Sequence, residues 1–156
     1  MLWQKDTGPA DWVTRFTVGE DFRWDTLLLP YDVRATRAHV WGLGEIGILS
    51  GTELDRIGEV LDAIAEEARA GALTVRPEDE DCHTVLETRL TEELGETGKK
   101  VHTGRSRNDQ VLAALRLYLR DHIERIGGAV IGLTESLCAH GERYDDALMP
   151  GYTHMQ

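Results

Sequence analysis

The feature that most constrains this chain is a run of apolar residues towards its C-terminal end. Leu112, Leu115, Leu119, Ile123, Ile126, Val130, Leu133 and Leu137 follow one another at steps of three and four. Such steps mix as in a heptad and predict one helix from about Ser106 to Arg143. At 1.5 Å per residue it would be ~50 Å long, more than the diameter of a small domain. A helix of that length belongs to a bundle of long helices, supplied by the same chain or by partner subunits. Gly127 and Gly128 lie inside it, and each costs about 1 kcal/mol relative to alanine. The sequence therefore predicts either a neighbouring helix in close approach there or a bend.

Upstream, three further helical segments are expected. Residues 1 to about 25 hold Trp3, Trp12, Phe16, Phe22 and Trp24 at no steady period, which reads as an irregular arm. Pro30 suits a first helical turn, because its missing N–H costs nothing there. That helix would run to about Gly47 with Tyr31, Ala35, Ala38 and Trp41 on one side. Thr52 and Asp55 have the spacing of an acidic capping box. Leu54, Ile57, Leu61, Ile64 and Ala68 then repeat at helical spacing up to Gly71. After Pro77, the acidic run Glu78 to Asp81 suits the positive end of a helix dipole. Leu86, Leu90 and Leu94 continue that helix towards Gly95 or Gly98. Period-two alternation is scarce, leaving room for at most a short strand near 73–75 or 100–102. The expected fold is all-α, with an N-terminal helical domain over 1–105 and the start of a long-helix bundle over 106–156.

With 41% hydrophobic and 29% charged residues, the chain can build a packed core. Acidic residues outnumber basic ones, 28 to 17. This argues against a nucleic-acid partner, since phosphate binding relies on Lys and Arg. A local arginine cluster can still hold a small dicarboxylate. No apolar run approaches the ~20 residues needed to span a bilayer, and no signal-peptide pattern opens the chain. Cys82 and Cys138 form no CxxC pair and read as two buried thiols rather than a disulfide. These features together lead to the expectation of a cytoplasmic protein without a membrane partner.

Chemistry concentrates at the start of the long helix, in Lys100 to Gln110. Ser106 is a good N-cap, and Asp109 can reach back to it. Gly104 lets the loop turn. First-turn N–H groups, Arg105, Arg107 and Asn108 then surround one point, a pattern suited to binding an anion. A plain capped helix with solvated arginines has the same spacing. A second place is Met149 to Gln156, where a Pro-Gly turn precedes Thr153 and His154; histidine is the side chain best suited to moving protons near neutral pH. His83 and Glu87 are spaced as two metal ligands, but no third ligand accompanies them, and a salt-bridged helix pair fits better. No phosphate loop, dinucleotide fingerprint or Ser-His-Asp triad is present.

The run His102 to Gln110, HTGRSRNDQ, resembles the signature of argininosuccinate lyases. Glu80-Asp81-Cys82-His83 with Leu86-Glu87 and Arg89-Leu90 is similar to that family's EDxHxxLExRL block. Met149 to Gln156, MPGYTHMQ, is similar to its MPGYTHLQ turn. Trp12 to Phe16 with Asp32, Ala38 and His39 resembles its N-terminal arm and first helix. The resemblance covers essentially the whole chain.

It implies a helical homotetramer of the fumarase and aspartase superfamily, with a central bundle built from all four subunits and active sites shared by three. The implied reaction is a β-elimination of argininosuccinate to arginine and fumarate, with no cofactor and no metal. Carried over residue by residue, Ser106, Arg107 and Asn108 would hold the substrate carboxylates. Thr153 would contact substrate from a neighbouring subunit, and His154 would be the catalytic acid/base residue. His83 would line the pocket and Gln156 would belong to the site. The resemblance also implies two departures. Gly19 stands where many members carry a substrate-contacting serine, and the family's mobile catalytic serine lies beyond residue 156. The chain thus reads as an N-terminal fragment, expected to be inactive alone. Two other readings share the ancestry: a sister lyase acting on a substrate such as adenylosuccinate, and a non-catalytic helical assembly protein.

Overall fold

A computed structural model describes residues 11–154. Among them the chain forms α1 (Asp11–Val18), α2 (Asp21–Glu45), α3 (Gly51–Arg69), α4 (Cys82–Leu94), α5 (Glu96–Lys100) and α6 (Arg107–Arg143). A single 3-10 turn at Pro77–Asp79 precedes α4. No strand occurs among the described residues, so the fold is all-α. The short strand allowed near 73–75 or 100–102 does not form. Val75 N–H donates instead to the Thr26 hydroxyl at 3.1 Å, and Lys100 ends α5.

The start of α2 corrects the sequence reading. This helix begins at Asp21, inside what was expected to be an irregular arm, and Pro30 lies in its interior. An interior proline costs ~3 kcal/mol by removing a hydrogen bond and crowding the preceding turn. Leu29 and Val33 are buried on either side of it, at about 1.5–3 kcal/mol each. The buried stripe is Leu29, Asp32, Val33, Thr36, Val40 and Leu43. Trp41, grouped by spacing with Tyr31, Ala35 and Ala38, lies off this stripe and is 66% exposed.

The cap of α3 also differs. Ser50, not Thr52, is the N-cap. Its hydroxyl accepts from Glu53 N–H at 3.4 Å, and its own N–H donates to Glu53 Oε2 at 2.9 Å. The other Glu53 oxygen takes Lys100 Nζ at 2.6 Å. That distant partner favours the box two residues earlier than local spacing suggests, and buried Leu49 precedes the cap.

Helices α2, α3 and α4 enclose the core, formed by residues such as Val40, Leu43, Ile57, Leu61, Leu86 and Leu90. Helix α5 lies tight on α4, where a Cβ on Gly98 would collide with the Leu90 carbonyl. The chain divides into two compact units, Met1–Tyr118 and Leu119–Gln156. In the first, α6 contributes buried Gln110 and Ala114.

In the second unit, α6 continues to Arg143 with its apolar seam uncovered. Ile123, Ile126, Leu133 and Leu137 are each 60–67% exposed. A Cβ on Gly127 or Gly128 would meet nothing within 4 Å, so no described residue makes the close approach those glycines permit. Cys138 is likewise exposed and free, a correction to the pair of buried thiols; Cys82 is buried and free. Among the described residues, no helix is long and apolar enough to cross a membrane.

Candidate functional site

The loop before α6 turns at Gly104, whose φ of 71° is the left-handed conformation that glycine adopts without strain. Ser106 then caps the helix as its spacing suggested. Asp109 N–H donates to Ser106 Oγ at 3.3 Å, while Ser106 N–H and hydroxyl both donate to Asp109 Oδ2 at 2.9 Å. The backbone N–H bond from Ser106, followed by its hydroxyl, holds the Asp109 carboxyl below its ordinary range.

The two arginines flanking Ser106 go in different directions. Arg105 turns inward, and its Nη1 donates to the Thr36 hydroxyl at 3.1 Å. Its Nε and Nη2 are buried and find no partner among the described residues. Burial lowers its pKa, since the charged guanidinium is the form that desolvation disfavours. Arg107 leans on α4. Its Nη1 lies 3.3 Å from Asp81 Oδ1 and its Nη2 3.5 Å from Glu87 Oε2. Asp81 is at the same time the N-cap of α4, accepting from Thr84 N–H at 2.6 Å. Asn108 is exposed on the first turn.

A cavity of about 710 Å³ opens beside Arg107, lined by Thr84, Glu87, Thr88, Thr91, Lys99 and His102 among others. His102 Nδ1 approaches Glu87 Oε1 at 3.0 Å. Both atoms lack an aligned hydrogen bond, as does Thr84 Oγ1, so the contact is an ion pair only when the imidazole is protonated. Buried polar atoms left without partners are costly, and here three of them belong to side chains lining one cavity.

His83 stands elsewhere. It is 2% exposed, and its Nδ1 lies 2.8 Å from Asp32 Oδ2. The expected His83–Glu87 pair is not formed: the imidazole is bonded to α2, while Glu87 serves Arg107 and His102. Gln110 Nε2 reaches the same Asp32 oxygen at 2.9 Å, and the Thr36 hydroxyl reaches Asp32 Oδ1 at 3.4 Å. Cys82 Sγ lies 3.7 Å from His83 Nδ1. Burial, then the Asp32 carboxylate, push its thiol far up, and burial and Asp81 raise the nearby Asp25 carboxyl. The ligand atoms of Asp32, Cys82 and His83 lie within 4.8 Å of one another. Their lone pairs are already committed, because Asp32 accepts several hydrogen bonds and the thiol keeps its proton. The group fits a hydrogen-bonded cluster better than a metal centre.

Thr153 and His154 lie in the second unit. Both are exposed, and His154 has a positive φ of 59°, uncommon for a residue with a side chain. Gln156 falls outside the described residues.

A family model described as a lyase matches residues 14–156. The chain belongs to that lyase family. Among curated relatives of this lyase chain, the argininosuccinate lyase of Xanthomonas oryzae pv. oryzae is 42% identical over 157 aligned positions, covering 100% of the chain and 36% of the relative. That of Thermotoga neapolitana is also 42% identical, over 98% of the chain and 38% of the relative. That of Sorangium cellulosum is 43% identical, over 99% of the chain and 36% of the relative. The chain therefore spans little more than a third of the length of these relatives.

Sequence spacing pointed to the Ser106 cap with Arg105, Arg107 and Asn108 around one point; the structure keeps Ser106, Arg107 and Asn108 at the helix start and turns Arg105 inward. It missed Asp32, Thr36 and Gln110 as a connected group, and Glu87 and His102 as walls of the cavity. For Asp32, Thr36 and Gln110 the sequence signal is polarity on otherwise apolar helix faces, such as Asp32 beside Val33 and Leu29.

Proposed function

We propose that this chain supplies the N-terminal part of an argininosuccinate lyase, which releases arginine and fumarate. The observation that carries the reading is Arg107, held by Asp81 and Glu87 at the N-terminus of α6 where it lines the cavity. The relatives, all argininosuccinate lyases, support the choice of substrate.

In this reading, Ser106, Arg107 and Asn108 hold the succinyl carboxylates. A base removes a proton from the succinyl carbon, and the electron pair moves into the neighbouring carboxylate. Donors aligned there stabilise the growing charge. The pair then forms the carbon–carbon double bond as the guanidino nitrogen departs and takes up a proton. His154 is the acid/base residue, with Thr153 beside it; His83 and Gln156 complete the assigned set. Residues 1–105 form the N-terminal domain, and 106–156 open the bundle of a cytoplasmic homotetramer. The exposed seam of α6 and the two free cysteines support these last assignments.

The test is fumarate release from argininosuccinate, followed by absorbance, in the full-length chain that carries this sequence. Arg107→Ala should lose most of kcat/KM with its helical content intact. His154→Asn should lose turnover without losing assembly. Near-normal turnover in Arg107→Ala would sink the reading.

A further inference from the structure

Asp32 sits where α2, α4 and α6 meet, and its side chain is fully buried. A carboxylate taken out of water needs donors around it. Oδ2 receives the His83 ring nitrogen at 2.8 Å and the Gln110 amide at 2.9 Å; Oδ1 receives the Thr36 hydroxyl at 3.4 Å. An ionised carboxylate only accepts, so the shared proton rests on His83 Nδ1. In the neutral ring this leaves the lone pair on Nε2.

The same carboxylate reaches both flanks of Ser106. On one side it binds Gln110 directly, in the first turn of α6. On the other it acts through Thr36, whose hydroxyl donates to Asp32 and accepts from Arg105 Nη1 at 3.1 Å. The segment that presents Ser106, Arg107 and Asn108 is thus fastened at Arg105 and at Gln110 to one buried group. Core packing alone would not require a charge at this point. A buried carboxylate is costly unless fully hydrogen-bonded, and a well-packed apolar side chain would avoid that cost.

We propose that Asp32 is a positioning residue of the lyase site: it fixes His83 in its Nδ1–H form and locks the Arg105–Gln110 segment over α4. The inference rests on the lyase reading above. Asp32→Asn keeps the size but removes the charge, and Oδ2 is the one oxygen that takes both the His83 ring and the Gln110 amide. An amide nitrogen in the Oδ2 position accepts from neither, so the ring changes tautomer or loses its partner; with the amide turned the other way, the Thr36 hydroxyl loses its acceptor and the link to Arg105 is disturbed instead. Replacing an orienting carboxylate in this way changes turnover while leaving a fold in place.

The experiment compares the full-length wild-type chain with Asp32→Asn for kcat, KM, helical content and assembly. Solid-state 15N NMR of the histidine-labelled wild type, with His83 assigned by its loss in His83→Gln, reads the tautomer without any change at Asp32. Expected are an Nδ1–H signal for His83 and a fall in kcat/KM of about 10- to 100-fold with the fold retained. If Asp32→Asn fails to fold, Gln110→Met takes its place, since it removes only the amide contact; a several-fold fall in kcat/KM is then expected. Wild-type turnover together with an Nε2–H His83, or with near-normal kcat/KM in the variant, overturns this inference and leaves the lyase reading standing. A wild type that releases no fumarate overturns both.

Discussion

Arg107 Nη1 lies 3.3 Å from Asp81 Oδ1, the same oxygen that accepts from Thr84 N–H at 2.6 Å to cap α4. One carboxylate thus does two things, starting a helix and aiming a guanidinium that belongs to another. The two roles are separable by substitution. Asp81→Ala removes both and should cost about 0.5–2 kcal/mol of stability, the usual range for a lost cap. Asp81→Asn keeps an acceptor for Thr84 but loses the charge facing Arg107. It should retain most of the stability while lowering kcat/KM of the full-length enzyme. Urea unfolding and steady-state kinetics on the two variants check this. Equal stability losses would mean that the Arg107 contact, rather than the cap, holds the start of α4.

Glu53 gives the first unit an acid-sensitive joint. Hydrogen bonding from Lys100, followed by the Ser50 backbone and hydroxyl, holds its carboxyl down to about 2, against an ordinary value of 4.5. A depressed carboxyl contributes stability that is complete above its unfolded pKa and is lost as pH falls through the folded one. The contribution should therefore be present at neutral pH and disappear between about 4.5 and 2. Glu53→Gln should be less stable than wild type at neutral pH, and the gap should narrow across that window. Urea midpoints by circular dichroism at several pH values measure it. A gap independent of pH would mean that the carboxylate charge contributes nothing.

Gly98 marks where α5 meets α4 with no room for a side chain. A Cβ there would meet the Leu90 carbonyl and the Thr91 nitrogen, both backbone atoms that cannot swing aside. Gly98→Ala should destabilise by about 1–3 kcal/mol through overpacking, despite alanine's better helix propensity. Gly58, a helical glycine whose Cβ would meet nothing within 4 Å, is the matched control. Gly58→Ala should be neutral or stabilising. Thermal unfolding of the two variants decides the point.

What the sequence made legible was local. The seam of α6 and its Ser106–Asp109 cap depend on residues a few positions apart, so spacing alone predicts them. The start of α2 depends on burial of Leu29 against Val75 and Cys82, which outweighs the interior Pro30. The choice of Ser50 over Thr52 goes with Lys100, which holds Glu53 from 47 residues away. The candidate site divides in the same way. Ser106, Arg107 and Asn108 could be read off the cap, but Asp81 lies 26 residues from Arg107, and Asp32 lies 78 from Gln110. His83 and Glu87 share a helix face by spacing, yet each finds a partner on a different element. That outcome is decided by packing between elements, which periodicity does not encode.

The seam on the second unit makes the last prediction. Ile123, Ile126, Val130, Leu133 and Leu137 run along α6 with 57–67% of each exposed. Contiguous apolar surface of this kind marks an interaction face or an aggregation liability. The 156-residue chain should therefore self-associate as its concentration rises, with a shift in sedimentation coefficient. Placing charges on the stripe, as in Ile126→Glu with Leu133→Glu, should return it to a single chain. The helical content of the first unit should not change, because neither residue contributes to its core. Sedimentation velocity over a range of concentrations reads both outcomes. A wild-type chain that stays monomeric throughout would show that the seam does not drive assembly, and would remove the support it lends to the bundle reading.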